Sequence, residues 1–484
     1  MAFTPTYTGA EAPNAGKRVL ILGGTGRVGS STAAALLRTE RGLEVVLSGR
    51  SEASYAKLVD MRPELAGARF LRCDIDNDAD LAAALQGFDL VLHTAGPFQR
   101  KERCAVLEAA IAARVAYMDI CDDADYSQRA RRYHQQALDA GVPAITTAGI
   151  YPGVSNVMAA HMVSIARREY EDDWSWRGSK AAAVPARASS AGAAGGALGE
   201  AEAGSGLPEA RGGGGGGAAT AVLEAPQDAG RSTVGAGPPA AVGPVAGEPV
   251  EPKRVLYSYY TAGSGGVGPT ILETSLLLAG EDVTAFVDNQ KVMAPPVSGP
   301  RVVDFGRPLG RVTAWLYNLP EVASTHENLR VPSVSARFAT APVFWNWAMV
   351  AVARLAPKGF LEDRDKSKWL AGLAGLWVRP VDKLVGEAVG MRVDVELADG
   401  TTAAGVYYHR LLSQSVGVCT AAFVRAMLAG GTQPGVWFPE QREAVPDRRG
   451  LLQMATDGAQ RFELNRPPWA IESQPTQLGF GMYW

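Results

Sequence analysis

The chain has 484 residues, with 47% hydrophobic and 20% charged side chains, which are values typical of a folded protein of two domains. Its net charge of −3 excludes a general electrostatic attraction to nucleic acid or to an anionic membrane. The four cysteines form no CxxC pair and the five histidines show no ligand-like spacing, so we expect reduced thiols and no metal site.

Residues 1–16 carry no targeting signal, because they lack both the apolar core of a signal peptide and the Arg-rich pattern of a transit peptide. We therefore treat them as an N-terminal tail and expect a cytoplasmic protein. A plastid location is the alternative if the sequence begins after the natural start. No run of the chain reaches the roughly 18 uninterrupted apolar residues that a membrane span needs.

Residues 17–170 alternate short apolar runs with helical patterns. The predicted strands are 18–22, 44–48, 68–73, 90–93, 116–120 and 144–147. The predicted helices between them are 28–38, 55–62, 78–86, 102–113 and 126–140. This alternation is typical of a doubly wound parallel sheet, so we expect an α/β protein with an N-terminal Rossmann domain.

Residues 171–252 differ in composition from the rest of the chain. They are rich in Gly, Ala and Pro and include a glycine run at 212–217, and no aromatic residue lies between Trp176 and Tyr257. Such a segment buries too little apolar surface to offset its ordering entropy. We therefore predict a disordered insertion that loops out of the fold.

Residues 253–445 are predicted to form an α+β domain for substrate binding or dimerisation. Strands are predicted at 255–261, 283–287, 311–317, 334–338, 392–397 and 405–409. The last two flank Asp399-Gly400, which is a strong hairpin signal. Helices are predicted at 269–278, 343–355, 369–384 and 413–429, and residues 446–484 are predicted to be a C-terminal segment that packs on the fold.

The strongest motif is a glycine-rich loop that follows the first predicted strand and opens the first helix. Its spacing is Gly24-x-Gly26-x-x-Gly29. In this context Gly24 permits the tight turn, Gly26 lets a pyrophosphate approach the backbone, and Gly29 lets the helix pack close to the strand. We therefore predict a dinucleotide site, with an unliganded glycine-rich turn as the alternative.

The end of the second predicted strand favours NADP over NAD. An NAD site needs an Asp or Glu there for the ribose 2′-hydroxyl, whereas this strand ends in Ser48-Gly49-Arg50-Ser51. The Arg50 guanidinium can hold a 2′-phosphate through two parallel hydrogen bonds, and Arg27 adds a second positive charge. A solvated strand-end arginine is the alternative interpretation of Arg50.

Two further strand ends are expected to face the same crevice, because the carboxyl ends of parallel strands share one edge of a sheet. Asp74 and Ile75 are placed beside the adenine, and the small residues from Thr94 to Pro97 are placed where the backbone passes close to the cofactor. The complete set assigned to the cofactor is Gly24, Thr25, Gly26, Arg27, Val28, Gly29, Ser48, Gly49, Arg50, Asp74, Ile75, Thr94, Ala95, Gly96 and Pro97.

Several segments together resemble the saccharopine dehydrogenase/reductase superfamily. They are 23–29, 48–50, 94–98, 117–119 and 149–156, and residues 437–440 resemble part of the second domain of that group. The resemblance implies an NAD(P)-binding Rossmann domain, a second α+β domain, and a cofactor in the crevice between them. Members act on amino-acid-derived imines, polyamine precursors or lipid-like enoyl compounds, so the resemblance leaves the substrate open.

Asp119 and Tyr151 are the candidate catalytic residues, since both follow strands whose ends face the predicted crevice. An Asp in a partly dry cleft can hold a proton near neutral pH, and a Tyr can orient a carbonyl or imine. The alternatives are that Asp119 satisfies backbone amides at its strand end and that Tyr151-Pro152 shapes the link between domains. Asp122, Asp123, Asn156 and His93 lie in the same region, with helix capping or core packing as their alternatives.

The expected function is a saccharopine dehydrogenase-like, NADP-dependent oxidoreductase acting on a small imine, carbonyl or enoyl substrate. One alternative is a non-catalytic NADP-binding sensor or scaffold. Another is a peripheral membrane reductase that acts on lipids, because the apolar stretches 341–352 and 369–378 contain tryptophans near Arg and Lys. A domain core or a homodimer interface competes with that interpretation, and no nucleic-acid partner is expected.

Overall fold

The computed structural model describes residues 13–99, 101–169, 248–263, 269–357, 359–361, 363–473, 477–479 and 482–483. They belong to a unit formed by residues 1–177 and 247–484, while a second unit spans 178–246. The predicted disordered insertion at 171–252 therefore lies outside the described residues except for its last five positions.

The N-terminal part alternates strands and helices, as the sequence predicts. Its strands are β1 (Arg18–Leu22), β2 (Glu44–Gly49), β3 (Arg69–Arg72), β4 (Leu90–His93), β5 (Ala116–Asp119) and β6 (Pro143–Ile145). Its helices are α1 (Arg27–Thr39), α2 (Glu52–Met61), α3 (Asp78–Ala84), α4 (Ala105–Ala113), α5 (Ala124–Arg131), α6 (His134–Ala140) and α7 (Val154–Ala166). The single helix predicted at 126–140 is two helices, and the Tyr133 hydroxyl at the break donates a 2.6 Å hydrogen bond to Glu108 on α4.

The C-terminal part contains more elements than the sequence predicts. Its strands are β7 (Pro252–Ala262), β8 (Val283–Val287), β9 (Gln290–Ala294), β10 (Ser298–Asp304), β11 (Arg311–Leu316), β12 (Ser333–Ala341), β13 (Ala388–Leu397), β14 (Thr402–His409), β15 (Gly435–Trp437), β16 (Arg461–Arg466), β17 (Gln477–Gly479) and β18 (Met482–Tyr483). Its helices are α8 (Pro269–Ala279), α9 (Pro320–Leu329), α10 (Val343–Leu355), α11 (Arg364–Val385), α12 (Leu412–Leu428), α13 (Arg448–Ala455) and α14 (Pro468–Ile471).

The first sheet has seven parallel strands in the order β15-β6-β5-β4-β1-β2-β3. This confirms the predicted Rossmann class. The strand order reverses between β1 and β4, and the crevice at the carboxyl ends of such a pair is where open α/β sheets bind ligands. The edge strand β15 comes from residues that we assigned to the second domain, while the domain boundaries themselves stay a prediction.

The second sheet is mixed and has the main order β10-β11-β12-β7-β13-β14-β16, with β8 paired to β12 and β9 paired to β8. β7 and β12 pair in parallel, and the Asp399-Gly400 turn connects the antiparallel strands β13 and β14 as predicted. The large side chains Tyr257 and Tyr259 of the central strand β7 are fully buried. They lie in the same apolar core as the buried residues of α7 and α9.

The helix α12 joins the C-terminal part to the Rossmann sheet by packing closely on α1. A side-chain carbon at Gly417 would lie 2.5 Å from the backbone of Ser31, so this position needs a glycine. Arg425, near the end of α12, forms an ion pair with the buried Glu40. No helix within the described part of the chain is long and apolar enough to cross a bilayer.

Candidate cofactor and active site

The loop between β1 and α1 is held by contacts that only glycine permits. A side-chain carbon at Gly24 would lie 2.8 Å from Ile21 O and from Leu47, and one at Gly29 would lie 2.7 Å from Gly23 O and from Thr94. Gly24 N also donates to Ser48 O on β2 at 2.9 Å. These two glycines therefore serve the close packing of helix, loop and strands.

Gly26 has a different environment from the other two glycines of the motif. A side-chain carbon there would approach only Gly23 O, at 3.0 Å, and would otherwise point into open space. Gly26 is also the N-cap of α1, and no side chain caps the first-turn amides. The backbone is thus exposed where a diphosphate would approach, at the positive end of the helix dipole.

The end of β2 lies against this loop. A side-chain carbon at Gly49 would lie 3.0 Å from the Thr25 hydroxyl, which brings the two predicted segments together. Arg50 is exposed and makes no hydrogen bond or ion pair with another described residue. The neighbouring Ser51 caps α2 by accepting from Ser54 N. Arg50 is therefore free to meet an anionic group beside the loop.

Residues that follow β3 and β4 lie close together. Ile75, Ala95 and Pro97 together line a small cavity of about 30 Å³. Thr94 donates a 2.8 Å hydrogen bond to Leu22 O at the end of β1, which fixes the loop after β4 against the glycine-rich turn. Asp74 uses one carboxylate oxygen to accept from Asp76 N within its own turn.

Asp119 lies at the end of β5 and is completely buried. Its two oxygens accept hydrogen bonds from the Tyr117 hydroxyl, Cys121 N, the Thr146 hydroxyl and Thr147 N, at 2.8 to 3.1 Å. Burial raises the pKa of Asp119, although these donors oppose that shift. The contacts are those of a residue that ties β5 to the loop after β6.

Tyr151 lies beyond β6, against the face of the second sheet. Its ring stacks on Tyr259, with centroids 4.5 Å apart, and lies 6.2 Å from the ring of Phe338. Its hydroxyl makes no hydrogen bond with another described residue, and burial raises the pKa of Tyr151. Tyr151 thus has a neutral hydroxyl without a hydrogen-bond partner among the described residues, and the ionisable group that acts on it is the Cys419 thiol of α12.

Sequence reasoning missed a cluster of buried carboxyl groups around α9. Glu321 is fully buried, accepts a hydrogen bond from Tyr259, and has one oxygen without a partner among the described residues. Glu440, which follows β15, is also fully buried and accepts from Asn156 and Asn328 at 3.0 and 2.9 Å. Burial raises the pKa of Glu440, and it raises that of Glu321 to about 7.

No group of His, Cys, Asp and Glu in the described ranges has the arrangement of a metal site. A glycine cradle that a side chain would fill, next to an unpaired Arg50, fits a phosphorylated dinucleotide.

Comparison with known proteins agrees with this site. Residues 19–145 match the family model described as the saccharopine dehydrogenase NADP binding domain. The apo histidine-tagged saccharopine dehydrogenase (L-Glu forming) from Saccharomyces cerevisiae is similar in structure at 14% identity, with a TM-score of 0.54, over 93% of this chain and 99% of that chain. At this identity the likeness shows the fold alone.

Shorter structural matches include Pen from Bacillus thuringiensis, at 22% identity and a TM-score of 0.24, over 31% of this chain and 58% of that one. An isoflavone reductase matches at 21% identity and a TM-score of 0.22, over 27% and 48% of the two chains. No curated protein matches the sequence.

The cradle and the family match identify residues 19–145 as an NADP-binding domain. More particularly, the chain carries an NADP-binding Rossmann domain of the saccharopine dehydrogenase-like superfamily. The prediction of NADP as cofactor is confirmed by the description of that domain.

Proposed function

We propose that the protein is an oxidoreductase that transfers hydride between NADP(H) and a small substrate that contains a C=N, C=O or conjugated C=C bond. The observation that carries the proposal is the open side of Gly26 at the N-terminus of α1. Uncapped amides in that position hold a diphosphate, and the carboxyl ends of β1 and β4 lie directly beside them.

Different residues of the chain bind different parts of the cofactor. The loop from Gly24 to Gly29 holds the diphosphate, and Arg50 holds the 2′-phosphate that distinguishes NADP from NAD. The segment from Thr94 to Pro97 lies beyond the diphosphate in the direction of β4 and β5. When bound, the cofactor supplies the hydride, while the protein supplies position and polarity.

The substrate is proposed to bind between the carboxyl end of β5 and the second sheet. Tyr151 offers its hydroxyl there to orient a carbonyl or imine. A groove of about 530 Å³ opens beside this region, lined by Lys101 and Asp123 on one side and by Glu281 and Lys291 on the other. Its polar lining suits a small substrate that arrives from water.

The test is NADPH consumption by the full chain with a panel of imines, ketones and enoyl compounds, beside direct measurement of NADPH binding. We expect turnover with at least one of the three classes, and a marked preference for NADPH over NADH. Tight binding of NADPH without turnover on any class would favour the sensor or scaffold function. Gly26→Val, which should not bind NADPH, is the control for NADPH oxidation that does not depend on this site.

An exposed apolar surface on α10 and α11 favours a second candidate, a reductase that works at a membrane surface. Trp347 and Trp369 are 61% and 62% exposed. Residues 343–385 hold seven Lys and Arg against four Asp and Glu, although the whole chain is acidic. Tryptophans beside basic side chains are typical of helices that lie in an anionic bilayer interface.

A further inference from the structure

Three aspartates lie at the end of β5 or directly after it, and their contacts differ. Asp119 has both oxygens occupied by protein donors, as described above. Asp123 is buried and caps α5 by accepting from Tyr126 N at 2.5 Å. Asp122 lies between them and is half-buried. It accepts one hydrogen bond from another described side chain, that of Gln99, and this bond engages only one of its two carboxylate oxygens. Asp122 therefore keeps a carboxylate oxygen for a ligand.

Gln99 connects Asp122 to the loop that follows β4. Its amide nitrogen donates to Asp122 at 2.9 Å, whereas its amide oxygen is buried and has no partner among the described residues. A buried amide oxygen without a donor costs free energy unless a ligand or water satisfies it. The two side chains thus present one acceptor each at the carboxyl ends of the central strands β4 and β5.

The surroundings of Asp122 favour its protonated form. Burial raises the pKa of Asp122 to about 6, the Gln99 hydrogen bond opposes this, and the neighbouring Asp123 raises it further. From the second sheet side, Asp122 raises the pKa of Glu321 on α9 as a like charge, and it also raises the pKa of the Cys121 thiol. Glu321 and Cys121 therefore keep their protons where Asp122 titrates, and Asp123 is the like charge that disfavours the ionisation of Asp122.

We infer that Asp122 exchanges the proton that accompanies hydride transfer, an inference that rests on the proposed function. In the reductive direction the substrate carbon receives a hydride from NADPH, which becomes NADP⁺. The electron pair of the double bond moves to its other atom, and that atom takes the proton of the Asp122 carboxyl group. Asp122 is left as a carboxylate and regains a proton from solvent through the adjoining groove.

The charge of Asp122 should also affect the binding of the two forms of the cofactor when no substrate is present. The oxidised nicotinamide ring carries a positive charge that the reduced ring lacks, so a nearby carboxylate favours NADP⁺ over NADPH, and a neutral carboxylic acid does not. By linkage, the ratio of the dissociation constants of NADP⁺ and NADPH must fall as Asp122 ionises. The 2′-phosphate also titrates near pH 6, but it is common to both ligands and cancels in the ratio.

The experiment measures the dissociation constants of NADP⁺ and NADPH by calorimetry from pH 5 to pH 8. For the wild type we expect the ratio of NADP⁺ to NADPH constants to fall by about fivefold or more, with its midpoint near pH 6. In Asp122→Asn, which keeps a partner for Gln99, the ratio should not vary with pH. Asp125→Asn, at an exposed neighbouring position, should behave like the wild type.

The outcomes separate this inference from the proposed function. If neither nucleotide binds at any pH, the proposed function fails. If both bind but the wild-type ratio is independent of pH, or if Asp122→Asn keeps the wild-type midpoint, the role of Asp122 is overturned. Glu321→Gln provides a second check. Because Glu321 still holds its proton near pH 6, this variant should keep the wild-type midpoint, and loss of the pH dependence in Glu321→Gln would overturn the role of Asp122.

Discussion

The Tyr259 hydroxyl donates a 2.5 Å hydrogen bond to Glu321, and both side chains are fully buried between β7 and α9. Burial raises the pKa of Glu321 to about 7, the Tyr259 hydrogen bond lowers it, and Glu440 and Asp122 raise it further. The folded protein therefore keeps a proton on Glu321 at pH values where an unfolded chain has released it.

That proton makes stability depend on pH. Because the folded state binds more protons between about pH 4.5 and pH 7, the free energy of unfolding should fall as pH rises through this interval. The contribution of Glu321 to that slope is at most about 1.4 kcal/mol per pH unit. In Glu321→Gln, urea unfolding at pH 5, 6 and 7 should show a flatter profile, whereas exposed Glu327→Gln on the same helix should not change it.

Arg50→Ala should weaken NADPH binding by about tenfold to a hundredfold, because charge-assisted hydrogen bonds to the 2′-phosphate are lost. NADH lacks that phosphate, so its dissociation constant should change by less than about twofold. Fluorescence titration of both nucleotides measures the difference. Arg41→Ala, an exposed arginine after α1, is the matched control, and equal losses for NADPH and NADH would contradict the assignment.

Asp119→Asn should destabilise the fold by about 1–3 kcal/mol, since an amide group would face donors that now point at carboxylate oxygens. Chemical unfolding compares this variant with Asp125→Asn, which alters an exposed carboxylate. A catalytic role for Asp119 predicts the opposite pattern, in which turnover is lost while the unfolding midpoint is unchanged.

The double variant Trp347→Ser/Trp369→Ser tests the membrane-surface function. With it, co-flotation on vesicles that contain phosphatidylglycerol should be lost, because two exposed interfacial anchors are removed. Trp469→Ser, at a 73% exposed position on α14, should leave flotation unchanged. A wild type that does not float, or that loses a dimer on the double substitution, would favour a subunit interface on α10 and α11.

Much of the first sheet is predictable because its signals are local. The apolar runs of β1 to β6 and the glycine spacing at 24–29 lie within short windows, and the positions of Gly24 and Gly29 agree with the packing roles inferred from the motif. β15 is different, since its short run Gly435–Trp437 pairs with β6 from the other end of the chain. The sequence of that run does not indicate which strand it pairs with.

The burial of the acidic side chains cannot be predicted from the sequence for a related reason. Glu321 follows Pro320 in the first turn of α9, where an acidic residue is ordinarily a solvated partner of the helix dipole. Only the packing of α9 on β7 and on the segment after β5 turns it into a buried acid. Gln99 likewise has no sequence signal, since its importance comes from Asp122, which lies across two strand ends.

The central claim is that the backbone at Gly26 receives the diphosphate of NADP(H), and titration of NADPH into wild type and Gly26→Val tests it most directly. We expect saturable binding to the wild type. We also expect a loss of about a hundredfold or more in Gly26→Val, which should still fold because that position opens into free space. A folded Gly26→Val protein that binds NADPH as the wild type does would contradict the claim.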